Sequence, residues 1–169
     1  RVLYMSSDTT KQSDIEKALD SVPPEERSWW EGIKRLSEAP EEETRVMTDA
    51  EVFNAAVDVV AQKLHSDGNE ILQVSTILGS EPSIWFKVGD QLKYIVVTFA
   101  RYPKKATPPE NAKEIIEQLK EQNADGYWIG VNFAHELERF DPQWDGGMEL
   151  MIGFKLLPFV YEPIPLESL

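Results

Sequence analysis

Carboxylates are the abundant reactive groups of this chain. Its 169 residues hold 30 Asp and Glu but only two histidines and no cysteine. Thiolate nucleophiles, disulfides and cysteine-built metal sites are therefore excluded, and so are multi-histidine metal sites. What remains is acid–base chemistry by a carboxylate or a lone histidine, or hard-cation binding through oxygen. The densest group of suitable residues is His135-Glu136-Leu137-Glu138-Arg139-Phe140-Asp141. Here His135 has the type of a base. Glu136, Glu138, Asp141 and Asp145 are candidate metal ligands. Asp141-Pro142-Gln143-Trp144-Asp145-Gly146 hints at a calcium loop, but Gln143 at its third position and Ile152 at its twelfth break the EF-hand pattern. A surface loop closed by local turn bonds is the favoured expectation, because short motifs match by chance. No phosphate-binding G-x-x-x-x-G-K-[ST] loop, G-x-G-x-x-G turn, H-E-x-x-H helix or G-x-S-x-G elbow occurs. His65 falls near a helix end, where a cation suits the dipole and the free carbonyls better than it suits catalysis.

The elements that must position these residues follow from periodicity. Ser13 and Glu16 have the spacing of a capping box for a first helix through Ile15, Ala18 and Leu19. Pro23-Pro24-Glu25-Glu26 starts a second, with Trp29, Ile33 and Leu36 on one face. Glu41-Glu42-Glu43 reads as a solvated linker. Thr48 and Glu51 form a stronger capping box, followed by Val52, Phe53, Ala56, Val57, Val60 and Leu64 at helical spacing up to Ser66-Asp67-Gly68. A strand is expected over Glu70 to Leu78. A hairpin follows over Ser83 to Tyr102, turning at Gly89-Asp90. Its second strand is apolar on both faces, the mark of a central strand. Thr107 and Glu110 suggest a cap for a helix through Ala112, Ile115, Ile116 and Leu119. Tyr127 to Ala134 is again apolar on both faces, and strand–helix–strand order favours a parallel pair. Met148 to Phe159 reads as a last strand broken at Gly153, and the proline-bearing tail as extended. The expected fold is α/β, with α+β as the alternative: a single mixed sheet flanked by helices. Residues 1–44 form a helical, charged N-terminal extension, and 45–169 the core domain. Met5-Ser6-Ser7 reads as a natural start, leaving Arg1 to Tyr4 outside it.

The order helix, three strands, helix, strand, over about Thr48 to Ala134, resembles the core of the restriction-endonuclease-like superfamily. That resemblance implies an acid at the second strand and an acid-x-lysine pair on the third, holding the metal that activates water. Glu81-Pro82 precedes the second strand and Glu51 lies on the preceding helix. With His135 they are the catalytic candidates. The third strand, Tyr94 to Ala100, has no acid and no lysine, so the resemblance implies a degenerate, inactive copy.

Two surface signals remain. Between Pro82 and Lys105 stand Lys87, Lys93, Arg101, Lys104 and Lys105 against one acid, Asp90, in a chain whose net charge is −13. With Trp85 and Tyr102 they suggest a strip for single-stranded nucleic acid. Lysines that guard a sheet edge and pair with carboxylates are the favoured reading, since the overall field repels nucleic acid. Five tryptophans are too many for one core of this size, and Trp144, in a polar loop, is the one expected at the surface as an interface anchor. The expectation is a non-catalytic protein-binding module, adaptor-like or inhibitor- or immunity-like, that uses no cofactor. A protein partner is expected, and a basic one would suit the acidic surface. The alternatives are a metal-dependent hydrolase or nuclease-like enzyme, and nucleic-acid binding through residues 82–105. No apolar run has the length to span a bilayer, and no signal-peptide layout opens the chain, so the expectation is a soluble, cytoplasmic protein.

Overall fold

In the computed structural model, which describes residues 9–169, the capping box at Thr48 is complete. Thr48 Oγ1 accepts the Glu51 N–H, and the Glu51 carboxylate accepts the Thr48 N–H at 2.9 Å. They open α4 (Asp49–Ser66), preceded by α1 (Thr9–Ser21), α2 (Pro24–Glu38) and the short α3 (Glu41–Thr44). Then come β1 (Glu70–Val74), β2 (Ile84–Val88), β3 (Gln91–Arg101), α5 (Ala112–Leu119), β4 (Asp125–His135), β5 (Leu156–Val160) and β6 (Ile164–Pro165). The sheet order is β1-β2-β3-β4-β5, with β6 also on β4. β1, β2 and β3 form an antiparallel meander. β3 and β4 run parallel across the α5 crossover, with Val97 beside Ile129, and β5 returns antiparallel. The fold is therefore α/β, a mixed sheet flanked by helices.

The two-faced strands sit where their sequence requires. On one face Ile84, Phe86, Ile95, Val97, Ile129, Val131 and Phe133 pack against Val52, Phe53, Ala56, Val57 and Val60 of α4. On the other, Tyr94, Val96 and Trp128 meet Ala112 and Ile115 of α5 and Leu166. Burying a large apolar side chain stabilises by about 1.5–3 kcal/mol, so a strand covered on both sides gains at nearly every position. A third cluster joins α1 and α2 to the segment after β4: Ile15, Ile33 and Leu36 against Leu137, Met151 and Phe154. The N-terminal helices thus cover the β4–β5 connection. Among the described residues no helix is long and apolar enough to cross a membrane.

Several boundaries differ from expectation. The proposed start at Met5 lies outside the described residues. α1 is already helical at Thr9, so Ser13 is inside it and not its cap. β1 stops at Val74, and residues 75–82 form a loop. α5 begins at Ala112 with Asn111 before it, without a side-chain cap. The Thr107 carbonyl instead accepts the Thr98 hydroxyl at 2.8 Å, and Asn132 Oδ1 accepts the Ala106 N–H at 2.7 Å, which holds this segment along the sheet. The expected last strand is only Leu156–Val160. The expected linker at Glu41–Glu43 is instead the short helix α3, and residues 150–153 pair with α3 and the segment after it: Met47 N–H donates to Leu150 O, Ile152 N–H to Arg45 O and Gly153 N–H to Glu43 O. A Cβ at Gly153 would stand 2.4 Å from Glu43 Cβ, so this approach of two backbones requires glycine. Near the end of the chain, Leu166–Ser168 forms a 3₁₀ turn where an extended tail is expected, because Leu166 is buried against α5.

Candidate functional site

The connection from β4 to β5 leaves the carboxyl end of the parallel pair β3–β4, the end of a sheet where open α/β folds place their ligands. The last residue of β4, His135, is fully buried. Leu137 N–H donates to His135 Nδ1 at 3.0 Å, so the neutral ring carries its proton on Nε2. That Nε2 is buried without a hydrogen-bond partner, and the ring lies 5.0 Å from Phe154. Burial pulls the imidazole below its ordinary pKa; Glu136 and Glu138 oppose this and Arg35 adds to it. His135 is a neutral core residue, out of reach of a substrate.

The metal-ligand candidates are turned to other partners. Glu136 accepts the Lys155 N–H and faces Arg35 at 3.4 Å. Glu138 accepts three backbone N–H groups: Met148 at 2.7 Å, Arg139 at 3.1 Å and Phe140 at 3.4 Å. Asp141 closes a turn by accepting the Gln143 N–H at 2.9 Å, and Asp145 is exposed. Among the described residues, no three Asp, Glu or His are grouped so as to hold a metal ion.

What this connection does present is aromatic. Phe140 has φ +55°, a left-handed conformation costly for a bulky side chain, and the Glu138 carboxylate on its N–H fixes it there. The Phe140 ring meets Tyr102 at 4.9 Å and Phe159 at 5.9 Å, both edge to face. Phe140, Trp144 and Phe159 remain 38%, 45% and 49% exposed. Of the three, Trp144 lines a cleft of about 230 Å³ together with Trp29, Leu137, Asp141 and Met148 among others. Trp29 Nε1 donates to Leu137 O at 2.7 Å, and the Arg139 guanidinium stacks on its ring at 3.7 Å. Gly147 lets this loop touch the residue that follows β3, since a Cβ there would be 2.4 Å from Tyr102 O.

The catalytic candidates are not brought together. Glu51 receives both Arg45 guanidinium nitrogens at 3.0 Å. With the Thr48 N–H and hydroxyl, this holds its pKa down to about 2. Glu81 accepts from Asn111 Nδ2 at 2.8 Å at the edge of a cleft of about 310 Å³ whose other lining includes Phe53, Ser83 and Thr98. Each acid has its own partners, and His135 is buried elsewhere.

Nor do the cations of the hairpin make one strip. Lys87 shares a face with Trp85 and lies in register with Glu70. Lys93 projects to the opposite face and donates to the Tyr127 hydroxyl at 3.1 Å. Arg101 stands eight residues further along β3, roughly 26 Å away. It binds Asp49 and donates to Met47 O at 2.9 Å, which ties β3 to the start of α4. Lys104 and Lys105 are exposed beyond it. Trp85 is half-buried against Tyr94 at 5.2 Å. Sequence reasoning singled out Trp144 but missed Phe140 and Phe159. A lone aromatic in a polar loop and one following Pro158 were the available signals.

The fold and this surface define a helix-flanked mixed-sheet α/β domain with an aromatic face on its β4–β5 connection. Residues 50–157 match the family model described as a domain of unknown function, DUF8840, and the chain belongs to that family. The match runs from the first turn of α4 into β5, so it includes the aromatic connection and leaves out α1, α2 and α3. No curated protein and no solved structure matches the chain.

Proposed function

We propose that the chain is a non-catalytic protein-binding module whose partner docks on the aromatic face of the β4–β5 connection. The observation that carries this reading is the exposed trio of Phe140 and Trp144, on a connection that Glu138 stiffens, and Phe159 on the adjoining strand β5. Exposed aromatics in fixed positions lose little conformational freedom on binding and anchor interfaces. The carboxylates of the connection support the same reading, because they organise backbone instead of converging on an open site. Net charge of −13, with Asp141 and Asp145 on either side of Trp144 in sequence, favours a basic segment of the partner. The element order α4-β1-β2-β3-α5-β4 supports a restriction-endonuclease-like frame as well. Without an acid or a lysine between Tyr94 and Ala100, that frame would be an inactive copy put to a binding use.

An array of basic, neutral and acidic peptides probed with the labelled full chain tests the proposal. Binding should concentrate on basic peptides and fall about tenfold or more in Trp144→Ala and in Phe159→Ser. Peptides bound equally by the wild type and both variants, or no peptide bound at all, would refute it.

A further inference from the structure

We propose that the cleft at the amino end of β4 binds a small organic cation, a primary ammonium group carried on a hydrocarbon body. The cleft measures about 460 Å³ and lies between the end of α5, the first residues of β4 and the turn Leu166–Ser168. That volume is within the ~300–1,000 Å³ of small-molecule sites. Ile116, Leu119, Ala124 and Leu166 give it apolar walls. Tyr94 lines it as well, although the residue is only 2% exposed. Tyr94 is in parallel register with Gly126, and a Cβ at Gly126 would stand 2.3 Å from the phenol Cζ and 2.5 Å from its oxygen. The glycine thus makes room for the phenol tip beside the cleft. No hydrogen bond among the described residues engages that hydroxyl, so a buried group able both to donate and to accept is left for a ligand.

Charge selects the ligand. Lys120 lines the cleft but pairs with Glu117, and Asp125 lies in register with Lys93 on the next strand. Glu167 is the remaining charge, and its carboxylate makes no ion pair among the described residues. It is near enough to Tyr94 to join burial, the larger cause, in raising the phenol pKa. The phenol therefore stays neutral and can accept from a cationic donor. α5 and the 3₁₀ turn Lys120–Gln122 also end here, at Asn123, and bring the negative end of the helix dipole. An anion would meet Glu167 and that helix end, and a neutral ligand would leave the carboxylate uncompensated. An ammonium group answers the carboxylate, the phenol oxygen and the dipole together, while its hydrocarbon body lies on the apolar walls. Nine residues of β4, about 30 Å, separate Gly126 from His135, so this site is independent of the aromatic face.

Calorimetric titration of the full chain with phenylethylamine tests the proposal, with phenylethanol and phenylacetate as neutral and anionic counterparts. The amine should bind one-to-one and shift the backbone amide resonances of Ala124 and Gly126, and the alcohol and the acid should do neither. Glu167→Gln should weaken the amine about tenfold and Tyr94→Phe about fivefold. Glu167 is exposed, so its variant keeps the fold and decides the matter if Tyr94→Phe does not. A doubly blocked lysine, titrated in parallel, distinguishes the source of the cation. Tighter binding of the lysine assigns the site to a protein side chain, tighter binding of the free amine to a small molecule, and either supports the site. No saturable binding of either amine, or equal binding of the alcohol, would overturn it. Amide shifts confined to the β4–β5 connection, or an unchanged affinity in Glu167→Gln, would overturn it as well.

Discussion

Lowering the pH should destabilise the protein through His135, and the effect can be followed from a single atom. Burial depresses the folded-state pKa of this imidazole below that of an exposed histidine, which is about 6.5. Below about pH 6.5 the unfolded chain takes up a proton that the folded chain refuses. The stability contributed by neutral His135 is complete above that value and is lost as the pH falls towards the folded pKa. One proton sets the limit on the slope, about 1.4 kcal/mol per pH unit. Arg35, close enough to add to the depression, disfavours the charged ring further, while Glu136 and Glu138 soften the penalty. At neutral pH, His135→Phe has two opposing effects on stability. The variant removes the unpartnered Nε2–H, which as a buried unsatisfied donor costs about 1–3 kcal/mol. It also strips Leu137 N–H of its acceptor at a similar cost. Stability at pH 7.5 should therefore change little, while the slope between pH 5 and 6.5 should flatten. Urea unfolding followed by tryptophan fluorescence from pH 5 to 8, with exposed His65→Gln as control, measures both. An unchanged slope in His135→Phe would show that the ring is not the group responsible.

Three further outcomes follow from the geometry. Gly153→Ala should destabilise by about 1–3 kcal/mol, read by urea unfolding, because the added Cβ meets the Glu43 backbone and Cβ together. Glu51→Gln should remove a component of acid stability that the wild type holds above pH 4.5 and loses as the pH falls towards about 2, the depressed pKa of that carboxylate. Acid titration followed by far-ultraviolet circular dichroism would detect its loss. Calorimetric titration with magnesium, manganese or calcium should give no stoichiometric binding, since Glu136, Glu138 and Asp141 already receive backbone N–H groups. Tight binding of any of the three ions would count against the non-catalytic reading.

Short-range chemistry is what the sequence determined by itself. Thr48 and Glu51 specify the start of α4 because a capping box joins residues three apart, and the apolar repeat behind it names the face that packs. The turn at Gly89 (φ +59°), the hairpin it joins and the two-faced strands Tyr94–Ala100 and Tyr127–Ala134 are legible for the same reason: a period of two distinguishes a covered strand from a half-exposed one. What only the tertiary structure decided depends on partners far away in the chain. Whether Thr107 caps a helix turned on Asn132 holding the Ala106 N–H. Whether Met148 to Gly153 joins the sheet turned on Glu43, Arg45 and Met47, about a hundred residues earlier, taking the backbone bonds first. The His135-to-Asp141 run reads in sequence as a collection of ionisable groups. Folding spends those groups on local order, burying the histidine and committing Glu138 to three backbone N–H groups, and it leaves Phe140 and Trp144 outward. Residue types state which chemistry is possible, but whether a carboxylate faces a cation, a backbone or open solvent is set by desolvation and by the distant segment that reaches it.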